Sequence, residues 1–235
     1  MDHDHHAAAW QRISAAVLDS GFSLATACVA CADDVDADFA GATLVTAGEL
    51  RLLAAATDEH ARLVEDVQLV TGEGPCTDAF VHNAPAEAAD LHHATTRWPA
   101  FAPLAGEHGA RAVLALPLTV DTTPIGAMDL YRRRPVPFTA AQKDRADAYA
   151  GILALLALDE YPHLPVPGRS APHGSPGRPG PQGYPPTVHL AAGVLAEKYG
   201  LSPEDALARL RAHSFRHDRP LLRTARHVLD HHSLD

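Results

Sequence analysis

Gly72-Glu73-Gly74-Pro75-Cys76 sets a thiol at the end of a glycine-rich turn that feeds a short helix. A helix N-terminus lowers a thiol pKa, so Cys76 could serve as a reactive or sensing cysteine. A small buried residue closing a tight turn fits the same letters, since free cysteines are commonly buried and inert. The glycines lack the spacing of a phosphate loop, and no Lys follows them. Cys28-Val29-Ala30-Cys31 is a single C-x-x-C pair, whereas a structural zinc site takes four ligands. On a strand those two sulfurs would face opposite sides. Asp2-His3-Asp4-His5-His6 would pick up stray metal, but a terminal run of this kind is expected to be disordered. Arg97-Trp98-Pro99 and Phe101 suit either an apolar ligand cavity or a loop pinned to a sheet. None of these groups completes a catalytic constellation. The chain reads as a non-enzyme, with no catalytic residue, no metal and no cofactor.

Recognition of phosphate is the other chemistry in the chain. Arg219, Arg223 and Arg226 stand at i, i+4 and i+7, opposite Leu221, Ala225 and Val228, so one final helix would present them together. Such a face contacts phosphates or is simply solvated. Residues 1–160 hold 10 Lys/Arg against 23 Asp/Glu, while residues 187–235 hold 7 against 6. An acidic domain repels a polyanion, so nucleic-acid contact belongs at the C-terminal end. His213, His217, His227, His231 and His232 would add positive charge there in acid.

The elements that position these residues follow from pattern. Val188, Ala191, Leu195 and Tyr199 predict a helix ending at Gly200. Ser202 and Pro203 then supply an N-cap and a first helical residue, and Ala206, Leu207, Leu210 and Ser214 mark the inner face of the next helix. A third helix begins near Arg219-Pro220. Residues 161–186 contain nine Pro and five Gly, which reads as a spacer. Ahead of it, residues 5–20 suit an amphipathic helix, and residues 23–31 are strand or helix end. A hairpin turns at Ala47-Gly48-Glu49, and helices fit Glu59–Val70 and the stretch from Cys76 to about His82. Strands fit Ala86–Ala89, Arg111–Leu118 and Ile125–Tyr131, and a helix capped by Thr139 closes the domain. Its core is expected from Leu114, Leu116, Ile125, Met128 and Leu130 with Ile152, Leu155 and Leu156.

Two family resemblances rest on these residues. Ala191–Gly193, the Asp205–Arg211 run and the Arg219–Val228 run resemble the ANTAR domain, the RNA-binding output module of transcription antiterminators. Leu190 stands where that family commonly has Gln, Ala192 where it has Lys or Thr, and Thr224 where it favours Val. GEGPC at 72–76, Asp90-Leu91, Arg97-Trp98-Pro99 with Phe101, the 111–118 run and Ile125–Tyr131 resemble the GAF half of actinobacterial GAF–ANTAR regulators. The resemblance implies an α+β fold: a GAF-like antiparallel sheet with flanking helices over 1–160, a Pro/Gly-rich linker at 161–186, and an all-α three-helix ANTAR-like bundle over 187–235. It implies a cytoplasmic homodimeric antitermination regulator in which a small-molecule or protein signal at the front domain controls binding of structured RNA in nascent transcripts. Arg211, Arg219, Arg223 and Arg226 would contact phosphates, and Gly193 would allow close approach. The rivals are a DNA-binding regulator, a protein-binding adaptor with a degenerate RNA surface, and a cysteine-dependent redox enzyme of GAF fold.

Overall fold

The computed structural model describes residues 2–16, 21–45, 51–162, 164, 186–217 and 219–234. Most of the 161–186 spacer and the Ala47-Gly48-Glu49 turn lie outside the described residues. The front part runs α1 (Asp2–Ala16), α2 (Leu24–Asp34), β1 (Phe39–Val45), β2 (Arg51–Ala56), α3 (Glu59–Thr71), α4 (Pro75–His82), β3 (Ala86–Ala88), α5 (Phe101–Glu107), β4 (Ala112–Val120), β5 (Thr123–Arg132) and α6 (Ala140–Glu160). The rear part is α7 (Pro186–Tyr199), α8 (Pro203–Arg216) and α9 (Leu221–His231).

The strands form one antiparallel sheet in the order β2-β1-β5-β4-β3. Alternation along β4 divides its side chains between two cores. Leu114, Leu116 and Leu118 join Met128 and Leu130 of β5 under α1, α2 and α6. Val113 and Ala115 join Phe39, Ala127 and Tyr131 under α3, α4 and α5. The sheet is therefore covered on both faces, which is why β1 is buried along its whole length. Helix α6 starts at a full capping box: Thr139 Oγ1 accepts the Gln142 N–H, and Gln142 Oε1 accepts the Thr139 N–H at 2.9 Å.

Four expectations change here. Residues 23–31 belong to α2, whose N-cap Ser23 accepts the Thr26 N–H, and the helical spacing turns Cys28 and Cys31 to one buried side. The N-terminal run, expected to be disordered, opens helix α1, whose Ala9 and Ile13 are buried in the core. Leu155 is 59% exposed, since the buried stripe of α6 passes through Ile152, Leu153 and Leu156. A 3₁₀ turn at Leu91–His93 and helix α5 form where the sequence predicts no element. Both are too short to show a period.

In the rear bundle Val188, Ala191, Ala192, Leu195, Ala206, Leu210, Leu221, Ala225 and Val228 make one core. Ala192 is thus an interior residue of the bundle. Thr224 is 2% exposed, and its Oγ1 has no hydrogen-bond partner among the described residues. A buried unpaired hydroxyl keeps its dehydration cost, so Thr224→Val should raise stability by about 1 kcal/mol, measured by denaturant unfolding of the full chain. Leu116→Ala should instead cost about 2–5 kcal/mol in the same assay, because Leu116 is 2% exposed between sheet and helices. A change within about 0.5 kcal/mol, typical of surface sites, would contradict its burial.

Candidate functional site

The front domain holds a buried polar cluster between α3, the sheet and the start of α4. Glu65 and Gln68 point inward from α3, Thr43 comes from β1, and Asp129 and Tyr131 come from β5. Thr43 Oγ1 donates to Glu65 Oε2 at 3.0 Å, and the Tyr131 hydroxyl donates to Glu65 Oε1 at 2.8 Å. Gln68 Nε2 reaches the Tyr131 oxygen at 3.0 Å and Asp129 Oδ2 at 3.3 Å. Burial first, then Asp129 and Glu65, push the Tyr131 phenol well above its ordinary pKa, which keeps it a donor. Space for the cluster comes from glycine. A Cβ on Gly41 would stand 2.7 Å from Glu65 Cγ, and one on Gly74 would stand 2.4 Å from Gln68 Oε1. The Cys76 sulfur and carboxylate oxygens of Glu65 and Asp129 lie within 4.8 Å of one another, a donor set of the kind divalent metals take. Glu65 already accepts on both oxygens, so the hydrogen bonds alone account for its position.

The GEGPC run has a structural use at every residue described. Gly72 ends α3 in the left-handed conformation at φ 73°. Glu73 Oε1 accepts the Ala100 and Phe101 N–H groups at 2.6 and 3.0 Å and so holds the start of α5. Pro75 opens α4, and the Cys76 N–H donates to Gln68 Oε1 at 2.8 Å. Trp98 is buried, with its indole N–H on Asp78 Oδ2 at 3.1 Å, and the Arg97 Nε donates to the same oxygen at 2.9 Å. These contacts pin the loop to α4. All three cysteines are buried, and burial raises the Cys28 and Cys31 thiols well above the ordinary range. The native chain should therefore leave its three thiols unmodified by a disulfide exchange reagent over minutes and expose all three in denaturant. Fast native reaction at Cys76 would restore the sensing role.

The rear arginines divide into two sets. Arg223 and Arg226 are exposed on α9, opposite the buried Leu221, Ala225 and Val228. Arg219 is exposed but precedes the helix, because Pro220 is its N-cap and Leu221 its first residue. The expected three-arginine helix face is therefore a pair on α9 with a third side chain before its start. Arg211 is turned toward the front domain, where its Nε donates to the Val70 carbonyl at 3.3 Å. Gly193 is exposed, with open space where a Cβ would stand. Leu190 is 62% exposed. Sequence pattern did not reveal Asp66, which receives the Leu221 N–H at 3.0 Å across the seam between the two parts.

Among the described residues no helix is long and apolar enough to cross a membrane. The model of the GAF domain family matches residues 11–156, and that of the ANTAR domain matches residues 186–229. Among solved structures, the chain is similar to the GAF domain of a phosphoenolpyruvate-protein phosphotransferase from Coxiella burnetii, at 16% identity over 67% of this chain and 93% of that one, with a TM-score of 0.52. The corresponding GAF domain from Acinetobacter gives 16%, 68%, 93% and 0.50. The type II free methionine-R-sulfoxide reductase from Thermoplasma acidophilum gives 19%, 58%, 90% and 0.46. These are likenesses of fold. No curated protein matches the chain. GAF and ANTAR are regulatory domains, sensory and output respectively. With a sheet covered on both faces in front and a three-helix bundle behind, the chain belongs to the GAF domain family and carries an ANTAR domain at its C-terminal end.

Proposed function

We propose that this chain is an RNA-binding transcription antitermination regulator: a homodimer working in the cytoplasm, whose GAF domain answers a small-molecule or protein signal and whose ANTAR domain binds structured RNA in nascent transcripts. The observation that carries the reading is the two-sided α9. Its apolar side is locked into the bundle, and Arg223 and Arg226 are left exposed on the other side of an ANTAR match. Arg219 is exposed just before α9, and Gly193 offers an uncovered stretch of α7. A compact helical surface of this kind meets RNA hairpins through shape, phosphates and splayed loop bases.

The test removes charge without touching the core. Arg223→Ala with Arg226→Ala should leave unfolding unchanged, because both side chains are exposed. Binding to stem-loop RNA should weaken alike for all sequences, and the salt dependence should flatten by about one unit per lost phosphate contact. The measurement is fluorescence anisotropy against salt concentration, with duplex DNA of equal length as the competing substrate. Tight duplex binding would favour a DNA-binding regulator, and an unchanged salt slope would remove α9 from the interface.

A further inference from the structure

The ANTAR bundle sits against the outer face of α3, and the contact is reciprocal at two helix ends. Asp66 Oδ2 accepts the Leu221 N–H, the first of α9, at 3.0 Å. That N–H has no intrahelical acceptor, and the positive end of a helix favours a carboxylate there. In the other direction, the Arg211 guanidinium donates to the Val70 carbonyl in the last turn of α3, where carbonyls lack helical partners and the dipole favours a cation. Gly72 makes room for it, since a Cβ at Gly72 would lie 2.1 Å from an Arg211 nitrogen. Between the two polar contacts Leu69 is 5% exposed and belongs to the bundle's core, not to the core of its own domain. A cleft beside them is lined by Leu104, Glu107 and His108 of the front domain and by Phe215 and Arg219 of the bundle.

We propose that this docked arrangement is an off state: α3 and RNA compete for the Arg211 and Arg219 side of the bundle, so RNA binds only after the bundle leaves α3. The proposal rests on the RNA-binding reading above and names its regulation. Docking ties up Arg211 and brings Arg219 to the seam. It also holds the bundle beside a domain with 23 acidic against 10 basic residues over 1–160, whose field repels a polyanion. The latch is poised to release. Burial raises Asp66 to about 6 against the lowering effect of the Leu221 N–H, so docking carries a dehydration cost. Arg62 on α3 and Glu107, His108 and Arg219 around the cleft are the other charged or titratable groups about it.

The Leu221 amide gives a readout that needs no RNA, because its protection from hydrogen exchange depends on Asp66. In the full chain Asp66→Lys places a cation against the α9 N-terminus, and Leu69→Ser removes the apolar anchor. Glu59→Lys makes the same charge change at an exposed site on α3 away from the seam. Binding is measured with a fluorescein-labelled pool of stem-loop RNAs with randomised loops. The expected result is fast exchange at Leu221 in Asp66→Lys and Leu69→Ser, with RNA affinity rising about tenfold over wild type and over Glu59→Lys. An unprotected Leu221 amide in the wild-type chain overturns the docked state. Undocking that leaves a measurable RNA affinity unchanged overturns the competition. Undocking with no RNA bound by any variant sinks the RNA reading, and the gate falls with it.

Discussion

Helix α3 is the constraint on which the rest of the structure depends. Its inner face carries Glu65 and Gln68, which tie β1, β5 and the start of α4 into one hydrogen-bonded cluster. Its outer face carries Asp66, Leu69 and Val70, which meet the bundle. Residues at neighbouring positions thus serve opposite sides, because a helix turns about 100° per residue. Any shift of α3 that loosens the inner cluster also moves the groups that hold α9 and Arg211. The inner polar cluster and the bundle contact are joined by one rigid element about 20 Å long.

The inner cluster also explains why the front domain leaves no room for error near GEGPC. A buried polar group is costly unless paired, and a network is worth keeping only when its members satisfy one another. Glu65 accepts from Thr43 and Tyr131, and Gln68 links Tyr131, Asp129 and the Cys76 amide. Gly41 and Gly74 are required because the two side chains occupy the positions a Cβ would take. The motif that looked chemical in the sequence is structural in every described contact: it ends one helix, starts another and holds the start of a third.

The bundle shows the converse. Its residues leave the interior almost wholly apolar, and polarity appears at the margins. Thr224 and Ser214 are the exceptions, hydroxyls buried without a hydrogen-bond partner among the described residues. Ala192 lies inside, so a polar group there would be buried in the bundle core. Leu190 is the exposed departure, and it leaves an apolar side chain on the outside of α7.

The sequence by itself determined the long elements and their caps. Period-2 alternation at 112–118, the period-3.6 stripes of α7–α9, and the caps Thr139 and Ser202 are local signals, and they appear where the pattern puts them except at Tyr199, which ends α7 exposed. The same local signals placed Arg223 and Arg226 outside and Leu221, Ala225 and Val228 inside. They could not decide residues 23–31, where small apolar residues suit a strand or a helix and only packing under the sheet selects α2. They also missed the 3₁₀ turn, which is only three residues long and is capped by its neighbour Asp90, and α5, whose start is held by Glu73 from elsewhere in the chain. Nor could they pair Asp66 with Leu221 or Val70 with Arg211, separated by 155 and 141 residues. A carboxylate on a helix face reads as solvated until another helix end is brought against it. That juxtaposition belongs to tertiary structure alone, because hydrogen bonds between distant residues leave no period in the sequence.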